Sequence, residues 1–505
     1  MKNLFFLLPM LALAACAPKE EAVLPNPILN IEGGQVQGVM ADDHPDVYVY
    51  RGIPYAAPPI GNLRWKEPQP VVAWQGVKVC DKFGHPGYQS VHYPGGYTTE
   101  WGYGDEAPYS EDCLYLNVWT KNPGKVDAKT PVALWIHGGG YREGWGSEPE
   151  FDGQEWGNKD VVLVTINYRL GIFGFLTHPL LTAESEHKSS GNYGILDQIE
   201  ALKWVRKNIA QFGGDPENVT IFGQSAGAGS VKTLCESPLA RGYFQKAVIM
   251  SGGGITRPGT DAGFGMAGRK MPKDFIFRNV TFDEAQKEAK VVFDWAGLTD
   301  LEKMRRASTE FLYSLGTIYA ASGGKDGAIA QRPLIDGYVC TKTFDDAALE
   351  GTLADVPYMI GYTMNDMGNM AAGIADFCNV RAEKGGKAWA YEFARPLPDD
   401  GSHPEVTARL KGAFHSSDLW FVFKSLKHCW RPWTDGDWKL SERMLTAWSN
   451  FVKCGDPNGA EGSLTVDGKS VTWTPCTAAD PNFMVFKLDA NNVEASAMGA
   501  PVTSL

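Results

Sequence analysis

The chain has 505 residues, 44% of them apolar and 21% charged, a balance that excludes a disordered or fibrous chain and suits a large globular one. The formal net charge is −12, and no run of Lys or Arg forms a basic patch, so a nucleic acid is not an expected partner. There is no internal repeat, low-complexity tract or heptad run.

The N-terminus reads as a targeting segment. Lys2 gives a positive start, Leu4 to Leu11 form a short apolar core, and Leu13-Ala14-Ala15-Cys16 closes it with small residues before a cysteine. The apolar stretch is too short for a membrane span. The ending resembles a bacterial lipoprotein signal. That implies cleavage of residues 1–15, lipidation of Cys16, and a tether over 16–26 that holds an exported protein at the cell envelope, on the outer membrane. An ordinary secretory signal with a chance cysteine, giving a secreted or periplasmic protein, is the alternative. Any membrane contact is expected only through this anchor. Eight cysteines follow: Cys80, Cys113, Cys235, Cys340, Cys378, Cys429, Cys454 and Cys476. None pairs as C-x-x-C, which argues against a structural zinc site.

Residues 27–60 read as short strands and turns, with Pro54, Pro58 and Pro59 excluding a helix. Residues 111–119 alternate into a strand. Pro131 to Ile136 and Asp160 to Tyr168 are continuous apolar runs, as expected of strands buried on both faces. Ile195, Ile199, Leu202, Val205, Ile209 and Phe212 recur at helical spacing, and Gly213, Gly214 and Pro216 end that helix. Strands are predicted at 219–222, 247–250, 358–361, 388–394 and 483–488. A helical and loop region is predicted over 255–350, and a helix from Ser441 to Val452. Strands alternating with helices predict an α/β fold, a mostly parallel sheet with helices on both faces, in one domain over 27–495.

Gly223-Gln224-Ser225-Ala226-Gly227 stands between one predicted strand and a helix, the context in which a G-x-S-x-G turn presents a nucleophilic serine. Upstream, His137-Gly138-Gly139-Gly140 follows another buried strand. The N–H groups of Gly139, Gly140 and Ala226 are candidate donors to a developing oxyanion. No Gly-Lys-Ser/Thr follows, so a phosphate loop is not expected.

These motifs stand among longer matches: GIPYAAPPIGNLRW at 52–65, EDCLYLNVW at 111–119, NYRLGIFGF at 167–175, GNYGILDQIEALKWVRKNIAQFGGDPENVTIFGQSAG at 191–227 and SPLARGYFQKAVIMSG at 237–252. Over residues 28–490 the chain resembles the type-B carboxylesterases of the α/β-hydrolase superfamily, para-nitrobenzyl esterases among them. The resemblance implies a serine carboxylic-ester hydrolase that needs no metal or organic cofactor. Its base would be His415 and its orienting acid Asp366, where the family usually has Glu. It also implies a disulfide from Cys113 to an upstream cysteine. The expected position near Gly87 holds none, and Cys80, slightly earlier, could substitute. Glu111 and Asp418 read as structural carboxylates. Ser251 is either a hydroxyl satisfied by backbone or a support for the site. Tyr141, Trp145, Trp420 and Phe421 are candidates to line the substrate pocket, with core packing as the other reading. The segments 255–330 and 365–385 are expected at the rim. A small-molecule ester is the expected substrate. A polysaccharide acetyl or feruloyl ester or a lactone would suit the same machinery, and a non-catalytic adhesion protein is the third reading.

Overall fold

The computed structural model describes residues 26–104, 108–256, 265–266, 269–270, 280–368, 370–466, 469–488 and 494–499. Cys16 and most of 257–279 lie outside the described residues. No helix among the described residues is long and apolar enough to cross a membrane.

The chain is organised on an eleven-stranded sheet. In chain order its strands are β1 (Val39–Met40), β2 (Tyr48–Pro54), β3 (Tyr115–Thr120), β4 (Thr130–Ile136), β5 (Val162–Ile166), β6 (Gly214–Gln224), β7 (Lys246–Met250), β8 (Tyr358–Thr363), β9 (Ala388–Phe393), β10 (Phe483–Leu488) and β11 (Glu494–Gly499). The spatial order is β11-β10-β9-β8-β7-β6-β4-β5-β3-β2-β1. Every pairing from β5 to β10 is parallel. Antiparallel pairs close both edges.

Strand β5 and strands β7 to β9 are buried along their whole length, which is why they are continuous apolar runs. Alternate side chains enter two different cores. Leu134, Ile136, Ile221 and Ile249 face one. Trp135, Phe222, Val248 and Trp389 face the other, where Trp135 packs on Phe222 at 4.8 Å and on Phe423 at 5.0 Å.

The helices α1 (Tyr193–Asn208) and α2 (Ala226–Glu236) flank the strands that carry the site. The predicted face of α1 is buried, and its last two members, Ile209 and Phe212, continue as a 3-10 turn that ends at Gly213. Buried Asp197 on α1 takes two hydrogen bonds from the Arg169 guanidinium, at 2.8 and 2.7 Å, which ties the NYRLG loop to the helix. Glu111 is likewise structural: Arg64 donates to it at 2.7 and 2.5 Å, and Thr309 at 2.6 Å.

Three expectations are corrected. The helix α3 (Ala371–Glu383) packs on β8 and β9 and buries Ile374 and Phe377, so this part of 365–385 is core, not rim. The helix α4 (Asp435–Cys454) starts six residues earlier than Ser441. Its first turn is polar but capped by a Thr434–Asp437 box, and buried Asp437 is paired with Arg395 at 2.7 Å. Cys80 and Cys113 are free thiols in different surroundings. Cys80 lies in an edge segment whose backbone bonds Gln37 and Arg51, with its Sγ 3.7 Å from the Lys78 carbonyl. Cys113 is buried beside the Arg169–Asp197 pair.

Candidate active site

The predicted residues converge at the C-terminal ends of the parallel strands, the edge where open α/β sheets bind ligands. Ser225 follows β6 directly. Its backbone has φ 57° and ψ −120°, a conformation costly for any residue with a side chain, by about 1–3 kcal/mol. The turn is held by Ser225 N–H donating to Met250 O at 2.9 Å and Gly229 N–H donating to Ser225 O at 3.0 Å. It also needs Gly227, because a Cβ there would collide with the Ile136 carbonyl at the end of β4. The serine is left half-buried, with helix α2 behind it.

The Gly-rich loop leaves β4 and runs alongside. Gly138 allows the approach: a Cβ there would stand 2.8 Å from Gln224 O and 3.2 Å from Ser225 Cβ. Gly140 is exposed and faces open space. Among the described residues, the N–H groups of Gly139, Gly140 and Ala226 donate to no protein acceptor. These three donors stand on the two segments that meet at the strained serine.

His137 at the base of this loop is buried. It stacks on Tyr168 at 4.4 Å and contacts Gly138 O at 2.9 Å through Nδ1. Burial pushes its pKa down to about 3, so it stays neutral.

Asp366 lies in the loop after β8, and His415 in the loop after β9. Their side chains meet at 2.6 Å, His415 Nδ1 to Asp366 Oδ1. Asn365 fastens the two loops together. Its N–H donates to Ala413 O and its side chain accepts from Ala413 N–H, both at 2.9 Å. Tyr97 donates to His415 O at 2.9 Å from the other side. Asp366 also accepts from Met367 N–H at 2.7 Å and from the N–H and hydroxyl of Thr363 at 3.2 Å. Burial alone would raise its pKa. The His415 ring and the Met367 N–H together outweigh burial and hold Asp366 below the usual carboxylate range. The Ser251 hydroxyl is buried and makes no hydrogen bond among the described residues, so it is neither satisfied by backbone nor bonded to Asp366.

His415 Nε2 faces the elbow and lies 3.2 Å from Gln224 Nε2. Among the described residues the Ser225 hydroxyl has no hydrogen-bond partner. Among the described residues, no group of three His, Cys, Asp or Glu side chains could hold a metal ion.

The four proposed pocket aromatics are corrected. Trp420 and Phe421 are 0% exposed, packed on Trp101 and on Phe393 and Trp433. Trp145 is buried against His92 and Tyr103. Tyr141 packs on Phe175, and its hydroxyl reaches helix α2 at Gly229. All four are core. Sequence neighbourhood to a catalytic segment did not mean a shared surface: Trp420 and Phe421 stand on a short helix, Leu419–Phe423, whose five residues are all buried. Tyr97, Asn365 and Gln224 were missed. Gln224 and Asn365 adjoin named residues in the sequence. Tyr97 is 318 positions from His415 and left no signal.

A model of the carboxylesterase family matches residues 25–377 and 368–501. The chain is 34% identical over 421 residues to the fumonisin B1 esterase of Sphingopyxis macrogoltabida, covering 81% of this chain and 69% of that one. It is 30% identical over 487 residues to the para-nitrobenzyl esterase of Bacillus subtilis (strain 168), covering 85% and 90%. The crystal structure of a carboxylesterase from Geobacillus stearothermophilus superposes with a TM-score of 0.70 at 28% identity, over 93% of this chain and 97% of that one. The chain belongs to the carboxylesterase family, has the α/β-hydrolase fold, and is a carboxylesterase.

Proposed function

We propose that Ser225, His415 and Asp366 form the catalytic triad of this carboxylesterase and that Gly139, Gly140 and Ala226 form its oxyanion hole. The observation that carries the proposal is the 2.6 Å Asp366–His415 contact held at the elbow. An ionised Asp366 accepts the Nδ1 proton of the ring, which leaves Nε2 as the basic nitrogen on the serine side. Ser225 Oγ attacks the ester carbonyl as its proton passes to Nε2. The new oxyanion receives the three free N–H groups. Nε2 then gives its proton to the departing alkoxide as the C–O bond breaks, leaving an acyl-serine. Water, activated by the same ring, reverses the sequence and releases the acid. The strain at Ser225 keeps its oxygen clear of the helix and open to attack.

Small-molecule esters are the substrate class we assign. The test is a panel of short p-nitrophenyl esters with fumonisin B1, acetylated and feruloylated polysaccharides and a lactone. Ser225→Ala is expected to lower turnover of every accepted ester by on the order of 10^4 to 10^6-fold with unchanged circular dichroism. Turnover surviving in a folded Ser225→Ala protein would reject the nucleophile.

A further inference from the structure

Gln224 lies between the nucleophile and the base. It ends β6, is 3% exposed, and its Nε2 is 3.2 Å from His415 Nε2. Its Oε1 lies on the opposite side, toward Gly138, where a Cβ would stand 3.2 Å from it. Thus the amide nitrogen is turned to the imidazole and the amide oxygen to the Gly-rich loop.

The donor inventory gives this contact a direction. An amide NH2 group only donates, so His415 Nε2 can complete the bond only by accepting, with no proton of its own. The ring proton is then on Nδ1, where Asp366 accepts it at 2.6 Å. Both contacts select the same neutral tautomer, the one whose Nε2 lone pair is directed at the Gln224 amide. Protonating Nε2 would set two donors against each other across 3.2 Å.

We propose that Gln224 is a positioning residue that holds His415 in the neutral, Nδ1-protonated form in the resting enzyme and disfavours the imidazolium until substrate arrives. The inference rests on the triad reading above. During attack the Ser225 proton moves to His415 Nε2 while the Oγ–C bond forms, so the Gln224 amide must turn its nitrogen away at that step. The proton then leaves Nε2 with the alkoxide, and the amide returns.

The other groups facing the ring are Asp366 at Nδ1, with Thr363 on that carboxylate and Ser251 near it, and Asp418, whose Oδ2 accepts from Tyr391. Tyr97 bonds the His415 carbonyl, and the ion pair of Glu100 with Arg431 stands behind it. Among the described residues none of these groups is hydrogen-bonded to the Gln224 side chain.

The test is the pH profile of kcat/KM between about pH 5 and pH 9 on a p-nitrophenyl ester. Wild type, Gln224→Glu and Gln224→Met are compared, with Ser225 in each counted by its fluorophosphonate adduct. A carboxylate at 224 accepts from the imidazolium and stabilises it, so the acid limb of Gln224→Glu is expected to move up by about 1–2 pH units. Gln224→Met removes the opposing donor without adding charge, so its limb is expected to move up by about a third of a unit. The methionine variant keeps the test alive if the glutamate variant does not fold. Limbs at the wild-type pH, or lower, in folded variants whose Ser225 is labelled would overturn the inference and leave the triad standing. A wild-type protein that takes no adduct on Ser225 would overturn the triad reading and this inference with it.

Discussion

Asp366 and Asp418 are both buried carboxylates beside His415, yet their pKa values are pushed in opposite directions. Asp366 has four hydrogen-bond donors around it: the His415 ring, the Met367 N–H, and the N–H and hydroxyl of Thr363. It stays ionised. Asp418, at 0% exposure, has the Tyr391 hydroxyl at 3.0 Å, and its Oδ1 has no partner among the described residues. Burial, with the charge of Asp366 adding to it, pushes the pKa of Asp418 up to about 7 against the pull of Tyr391. The burial is alike and the donor count is not. What makes a buried carboxylate an orienting anion here is its set of donors, the His415 ring first among them.

The comparison breaks most visibly when each carboxylate becomes an amide. Asp366→Asn turns an acceptor into a donor facing His415 Nδ1 and forces the wrong tautomer. The expected loss in kcat is about 10^3 to 10^4-fold on a p-nitrophenyl ester. Asp418→Asn replaces a mostly neutral acid with a neutral amide, so kcat near pH 6.5 is expected within about threefold of wild type. Equal losses in the two variants would refute the division of roles.

The sharper form of the comparison is in stability. The folded pKa of Asp418, about 7, is above its unfolded value of 3.8, so folding favours the protonated form. The stability that goes with that form is complete below about pH 4, is lost as pH rises, and is gone above about pH 7. Asn does not titrate. The Tm of Asp418→Asn minus that of wild type is therefore expected to grow from pH 4.5 to 7 and then level off, by on the order of a few kcal/mol in stability. A gap that is flat with pH would mean that Asp418 is ionised in the fold. For Asp366 the sign reverses. Its pKa is depressed, so its contribution is present above the unfolded value and is lost as pH falls below it.

The smallest expected effect comes from the ring's support. Tyr97→Phe removes one hydrogen bond to His415 O, and about 1 kcal/mol of stability and roughly threefold in kcat/KM should follow, read by thermal melting and by steady-state kinetics.

The strands were legible because burial on both faces writes an uninterrupted apolar run, as in Val162–Ile166. The elbow was legible because its glycines answer to local sterics. The polar start of α4 was not, since capping and the Arg395–Asp437 pair replace apolar periodicity there. Asp366 and His415 were found through resemblance, and their mutual contact spans 49 positions that no local pattern encodes. The pocket aromatics failed for a related reason. Adjacency along the chain says nothing about exposure, and Trp420 and Phe421 lie in a short helix that is buried throughout.

Peptide-resolved mass spectrometry after reaction with a fluorophosphonate tests the triad most directly. The account predicts one adduct, on Ser225, formed at least about 10^3-fold more slowly in a folded His415→Gln variant. An adduct on another residue such as Ser251, no adduct at all, or labelling of Ser225 at full rate without His415 would contradict it.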